Sequence, residues 1–154
     1  MAQYDHDPDP GGLFNMDAWD GYVAARKRVL PYLKNNRPSN PVVISSDVHS
    51  NWVADLKINF NKPRSAAVGT EFIGTSITSR LTTSAVDRIK AARSANPHVK
   101  VFDGRPDGYV RCDLDASRWT SSYRLADSAL DPQSPVRNIA SFVVENGRPG
   151  ATRV

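Results

Sequence analysis

The chain has 154 residues, 40% of them hydrophobic and 23% charged, with a net charge of +4 and a single cysteine. That length suits one domain with a usable core, the composition is ordinary for a globular protein, and one cysteine excludes an intrachain disulfide. Lysines and arginines are scattered, with no run of five like charges and no apolar stretch long enough for a transmembrane helix, so neither a nucleic acid nor a membrane is expected as partner.

Residues 1–12 are acidic and rich in proline and read as a flexible lead; no signal peptide is legible there. Asp5, His6, Asp7 and Asp9 fall in that lead and read as solvated rather than as a designed metal site. Asp17 is expected to cap a helix, with Asp20 aiding its first turn. The helix should run to about Lys34, with Trp19, Val23, Leu30 and Leu33 on its apolar stripe. Pro31 is awkward inside it, since an interior proline costs about 3 kcal/mol. Arg37-Pro38 ends the element.

Pro41 to Ser45 reads as a buried strand. It delivers Asp47 and His49, two positions apart, to its carboxyl end. If the backbone stays extended, the two side chains point the same way. Carboxylate oxygen and neutral imidazole nitrogen form a natural ligand pair for a metal, and ligands in open α/β proteins sit beyond the carboxyl ends of strands.

Trp52 to Phe60 should hold a turn and a short strand. Residues 66–69 then lead into an apolar strand around Glu71 to Ile73. An unpartnered Glu71 there would be costly, so a partner is expected. Thr75 to Ser79 is a loop, and Thr82 or Thr83 should cap a helix ending near Asn96-Pro97. Val99–Asp103, Tyr109–Leu114 and Trp119–Leu125 read as consecutive antiparallel strands, with turns at 104–108 and 115–118. Cys112, within one of them, reads as a buried thiol. After a loop at 131–137, a final strand is expected at Ala140–Glu145. The pattern is mixed α and β, without the alternation of a doubly wound fold.

The words around the ligand pair narrow the reading. Ser46-Asp47-Val48-His49-Ser50-Asn51-Trp52 resembles the Gly-Asp-x-His-Ser-Asn-Trp signature of the alkaline phosphatase D (PhoD-like) family of metallophosphoesterases, with Ser46 standing where the family has glycine. Trp19-Asp20-Gly21-Tyr22 and Gly69-Thr70-Glu71-Phe72-Ile73-Gly74-Thr75-Ser76 are similar to further family segments. So are Asn96-Pro97-His98-Val99-Lys100, Gly108-Tyr109-Val110-Arg111-Cys112 and Ala140-Ser141-Phe142.

The resemblance implies the C-terminal part of a catalytic domain at 13–150, between the lead and a tail at 151–154. It implies an α+β, mixed fold: part of a metallophosphoesterase-like sheet sandwich flanked by helices, lacking its N-terminal half. It implies metal-dependent hydrolysis of phosphate mono- or diesters, with iron (Fe3+) and calcium (Ca2+) as cofactors and an exported location. Asp47 and His49 would be metal ligands. Two ligands fall short of the four that zinc needs or the six to eight that calcium needs, so the chain is expected to carry one wall of a site. A second chain with the N-terminal half would complete it; the alternative is an inactive remnant.

Around that pair, Asn51 is a candidate for a metal or phosphate oxygen, or for an Asx turn. Glu71 is a candidate to orient His49, or to pair with an arginine. Thr75 and Ser76 could line a substrate loop or cap their own. Arg105 and Arg111 are candidate phosphate holders.

Overall fold

The computed structural model describes residues 1–7, 9 and 11–154; positions 8 and 10, within the expected lead, lie outside the described residues. Helix α1 spans Val23–Asn36, followed by strands β1 (Val42–Ser45), β2 (Asn51–Lys57) and β3 (Ala67–Ile73). Helix α2 (Thr83–Ala91) continues into a short 3-10 turn, and β4 (Val99–Asp103) follows. The remaining strands are β5 (Gly108–Leu114), β6 (Arg118–Ala126), β7 (Val136–Glu145) and β8 (Thr152–Arg153). They form two four-stranded sheets, ordered β1-β3-β2-β4 and β5-β6-β7-β8.

The expected run of three consecutive antiparallel strands is divided. β4 pairs with β2 in the first sheet, while β5 and β6 begin the second. The chain therefore crosses between sheets at residues 104–107, where the sequence shows only a turn. Gly108 fits that crossing, because a Cβ there would lie 2.3 Å from the Arg124 carbonyl oxygen. The final strand is longer than expected at its start, and β8 adds to its edge.

Inward-facing side chains explain why two layers form. Val53 and Phe72 from the first sheet meet Tyr123, Phe142 and Val144 from the second in one buried cluster. The Tyr123 hydroxyl spans the layers and donates to the Trp52 carbonyl at 2.5 Å. The other face of the first sheet is covered by α1, α2 and the first residues. Leu30 packs with Leu56 and Val68, and Ile89 with Trp52, Ala54 and Val99.

Asp17 does not cap α1. The helix begins at Val23 after a run of turns, with Tyr22 at its cap position and no side-chain cap bond. Asp20 is instead buried against Arg26 at 2.5 Å. Pro31 stands inside the helix, as its position required, and Arg37 closes it in a left-handed conformation with its N–H on the Leu33 carbonyl. At α2, Thr82 is the cap, its hydroxyl accepting from the Ala85 N–H at 3.2 Å.

β1 lies where expected and is less buried than expected. It is an edge strand, paired in parallel with β3, and Ile44 is 57% exposed. β2 is the reverse: it starts at Asn51, runs seven residues between β3 and β4, and is almost wholly buried.

Residues 1–6 cross the helix-covered face of the first sheet. Asp20 Oδ2 accepts from the Tyr4 N–H at 3.0 Å, and Asn96 and Asp5 exchange two bonds at 2.9 and 2.7 Å. The buried His98 Nε2 meets the Gln3 carbonyl at 2.6 Å. Tyr4 also stacks edge-on against Trp52 with ring centroids 4.6 Å apart, and burial first of all pushes its hydroxyl up to about 12.

Candidate metal centre

The carboxyl ends of β1 and β3 and the start of β2 meet at one end of the first sheet. The segment joining β1 to β2 there contains Asp47 and His49. Both have positive φ, 79° and 51°, so the extended alternation expected of them does not hold. A left-handed residue reverses the local chain direction, and Asp tolerates it better than most side chains. Asp47 is exposed and His49 half-buried, and neither side chain has a hydrogen-bond or ion-pair partner among the described residues. Nor, among the described residues, do three or more His, Cys, Asp and Glu side chains converge as a metal-binding group.

Ser50 holds this segment to the sheet. Its hydroxyl accepts from Trp52 Nε1 at 2.7 Å and donates to the Val48 carbonyl at 2.9 Å. Trp52 is itself wedged between Tyr4 and Phe102, with centroids 4.6 Å away on each side. Ser50 is not legible as functional in the sequence. Its only signal was a hydroxyl two positions before a tryptophan whose indole N–H must find a partner once buried.

The other candidates are engaged in structure. Glu71, only 1% exposed, accepts from the Ser45 hydroxyl at 2.8 Å and from the Ala2 N–H at 2.7 Å, and also pairs with the Met1 amino group. Neither His49 nor an arginine is among its partners, so both expectations for it are corrected. It sits opposite Val43 on the helix-covered face of the sheet, where the first residues and Ser45 reach it.

Asn51 is buried, and its amide bridges two loops. Its Oδ1 accepts from the Thr75 N–H at 3.1 Å and its Nδ2 donates to the Arg105 carbonyl at 3.4 Å. The Thr75 hydroxyl donates to the same carbonyl at 3.1 Å. The Ser76 hydroxyl closes a turn on the Ser79 carbonyl, while its own carbonyl accepts from the Asp107 N–H at 2.9 Å. Together these bonds tie the loops after β3 and β4 to the start of β2.

The two arginines are also paired. Arg105 forks onto Asp103 at 2.5–3.0 Å, and Arg111 meets Asp113 at 2.9 Å. Burial works to raise the Asp103 carboxyl, but the Arg105 guanidinium and N–H outweigh it and hold it below the usual range. Cys112 is half-buried with its Sγ 3.8 Å from the Ser121 hydroxyl.

Asp47 and His49 therefore offer one carboxylate and one imidazole on the segment after β1, neither engaged by another of the described residues. That donor set suits a hard or borderline metal as part of a coordination shell and is too small to be the whole of one.

Residues 1–123 match the sequence model of the family described as PhoD-like phosphatase. The chain is 34% identical over 156 residues to alkaline phosphatase D of Bacillus subtilis (strain 168), a match covering 100% of this chain and 26% of the relative. Its fold is similar to a solved structure of PhoD with a TM-score of 0.85 and 32% identity, over 99% of this chain and 29% of that one. The chain thus spans under a third of the length of these relatives.

Proposed function

Since the chain belongs to the PhoD-like phosphatase family, whose activity is phosphoester hydrolysis, we propose that it supplies the Asp47–His49 part of a metal centre in such a hydrolase. The remaining ligands come from a segment corresponding to the part of the relatives that lies outside the match. The observation that carries this reading is the contrast at the end of the first sheet. Asn51, Glu71, Thr75 and Ser76 are committed to neighbouring groups, whereas the Asp47 and His49 side chains have no partner among the described residues.

A bound metal of the family's kind, Fe3+ or Ca2+, would supply charge for a phosphate oxygen and acidify a water. The chain's own residues have three tasks. Asp47 and His49 hold their donor atoms at the strand end. Ser50 and Trp52 fix the segment that bears them. Asn51 and Thr75 clamp the adjoining loop at the Arg105 carbonyl.

The test is hydrolysis of a chromogenic phosphomonoester and diester at alkaline pH, with iron and calcium supplied. The chain is assayed alone and co-expressed with the non-matching segment of the Bacillus relative. Hydrolysis is expected only from the pair, and is lost with His49→Ala or Asp47→Ala. Turnover by the chain alone, or by the pair carrying both substitutions, would sink the reading.

A further inference from the structure

A cleft of about 640 Å³ opens at the other end of the first sheet, where β1 and β3 begin and β2 ends. It lies between the last turn of α1, the loop joining β2 to β3, and the turn at residues 147–149. None of its residues belongs to the Asp47–His49 segment, and small-molecule pockets commonly hold about 300–1,000 Å³. Two features define its chemistry. Leu33, Ile58 and Val68 give it an apolar wall, and Lys34, Arg37 and Lys62 bring three cations to it. No Asp or Glu lines it, and none of the three cations has an ion-pair partner among the described residues.

Lys34 and Arg37 lie at the carbonyl end of α1, where a basic side chain offsets about half a unit of negative charge. That accounts for less than one of them, and Lys62 comes from a different loop with no helix end to offset. The lining thus sets three cations without an ion-pair partner among the described residues beside an apolar wall, and a positive rim of this kind favours an anionic ligand.

We propose that this cleft binds an anionic amphiphile. Lys34, Arg37 and Lys62 take its acidic headgroup, and its apolar body lies along Leu33, Ile58 and Val68. Only the combination matches both halves of the lining: a free anion leaves the apolar wall wet, and a neutral apolar molecule leaves the cations unmatched. The inference is independent of the proposed phosphoester chemistry.

Decyl sulfonate below its micellar concentration is a suitable probe, because it carries no hydrolysable phosphate. Titration into the full chain, followed by amide NMR shifts, is expected to show saturable binding. The shifts should be confined to Arg37, Ile58, Lys62 and Gly147 and their neighbours. Inorganic sulfate and the neutral decyl maltoside should each bind at least tenfold more weakly. Combined Lys34→Glu, Arg37→Glu and Lys62→Glu should weaken decyl sulfonate at least tenfold, and Lys62→Gln alone several-fold. Since all three side chains are exposed, these variants are expected to fold.

Four results would overturn the proposal. Sulfate binding as tightly would make this a simple anion site, and the maltoside binding as tightly an uncharged groove. Shifts centred on Val48–Trp52 would assign the ligand to the other end of the sheet. Absence of saturable binding would leave the cleft without this function.

Discussion

Two sets of polar side chains stand at the same end of the same sheet and differ in one respect. Glu71 and Asn51 are buried, and every hydrogen bond they make serves a neighbouring strand, loop or the first residues of the chain. Asp47 and His49, a few residues away on the joining segment, are left-handed, more exposed and without a partner among the described residues. A buried polar group without a partner costs about 1–3 kcal/mol, so folding selects for engagement. Side chains left free at a position of backbone strain are the ones that something other than folding has to explain. The difference separates scaffold from candidate chemistry more sharply than proximity does.

If that division holds, Glu71→Ala should have the largest effect on stability. It strands the Ser45 hydroxyl and the Ala2 N–H inside the fold and leaves a cavity, for a loss of about 3 kcal/mol in urea unfolding. Glu71→Gln retains an acceptor and should cost less. A loss below about 0.5 kcal/mol for the alanine variant would remove Glu71 from the scaffold. Asn51→Ala comes next, at about 2 kcal/mol, because it frees the Thr75 N–H and loosens the Arg105 loop. Its amide exchange should rise at Thr75 and Arg105 together. Tyr123→Phe should cost about 1 kcal/mol, the usual worth of one buried hydrogen bond, here the bond to the Trp52 carbonyl that spans the two sheets.

A smaller effect separates the scaffold histidine from the free one. Burial, ahead of any neighbouring charge, depresses His98 below its ordinary pKa, and His98 is only 3% exposed. Its neutral form is therefore favoured in the folded state, and the unfolded chain binds the proton more readily. Stability is full above the unfolded histidine pKa of about 6.5 and falls as the pH drops below it. Half-buried His6, depressed chiefly by burial, acts in the same direction. The slope of unfolding free energy against pH below neutrality should be reduced in His98→Gln. An unchanged slope would mean that burial does not hold the ring neutral.

The sequence revealed the elements and their order better than their partners. The β1 strand and the Thr82 cap were legible because an apolar run between breakers and a threonine before a helix are local signals. The separation of β4 from β5 was not, since pairing across a turn is the default and the two-layer alternative depends on side chains far away in sequence. Glu71 shows the same limit. Its need for a partner followed from burial alone, but which partner depended on where the first residues cross the sheet. The family words around Asp47 and His49 were the clearest signal in the chain, yet local geometry could not be read from them: period-two spacing suggested an extended segment, and the chain turns there with positive φ.

The smallest predicted effect on stability is the most telling for function. Among the described residues Asp47→Ala and His49→Ala remove no hydrogen bond and no ion pair, so unfolding free energies should stay within about 0.5 kcal/mol of the parent chain. Glycine at either position should be at least as well tolerated, because a left-handed non-glycine residue is disfavoured by roughly 1–2 kcal/mol and glycine is not. If these are metal ligands, the same substitutions should abolish phosphoester hydrolysis in the completed enzyme while leaving urea midpoints unmoved. A loss of stability comparable to that of Asn51→Ala would place them in the scaffold and dissolve the contrast. Unchanged stability with unchanged turnover would leave the two strained residues without a role in the chemistry. Loss of turnover alone is the outcome that two free donors on a firmly held segment predict.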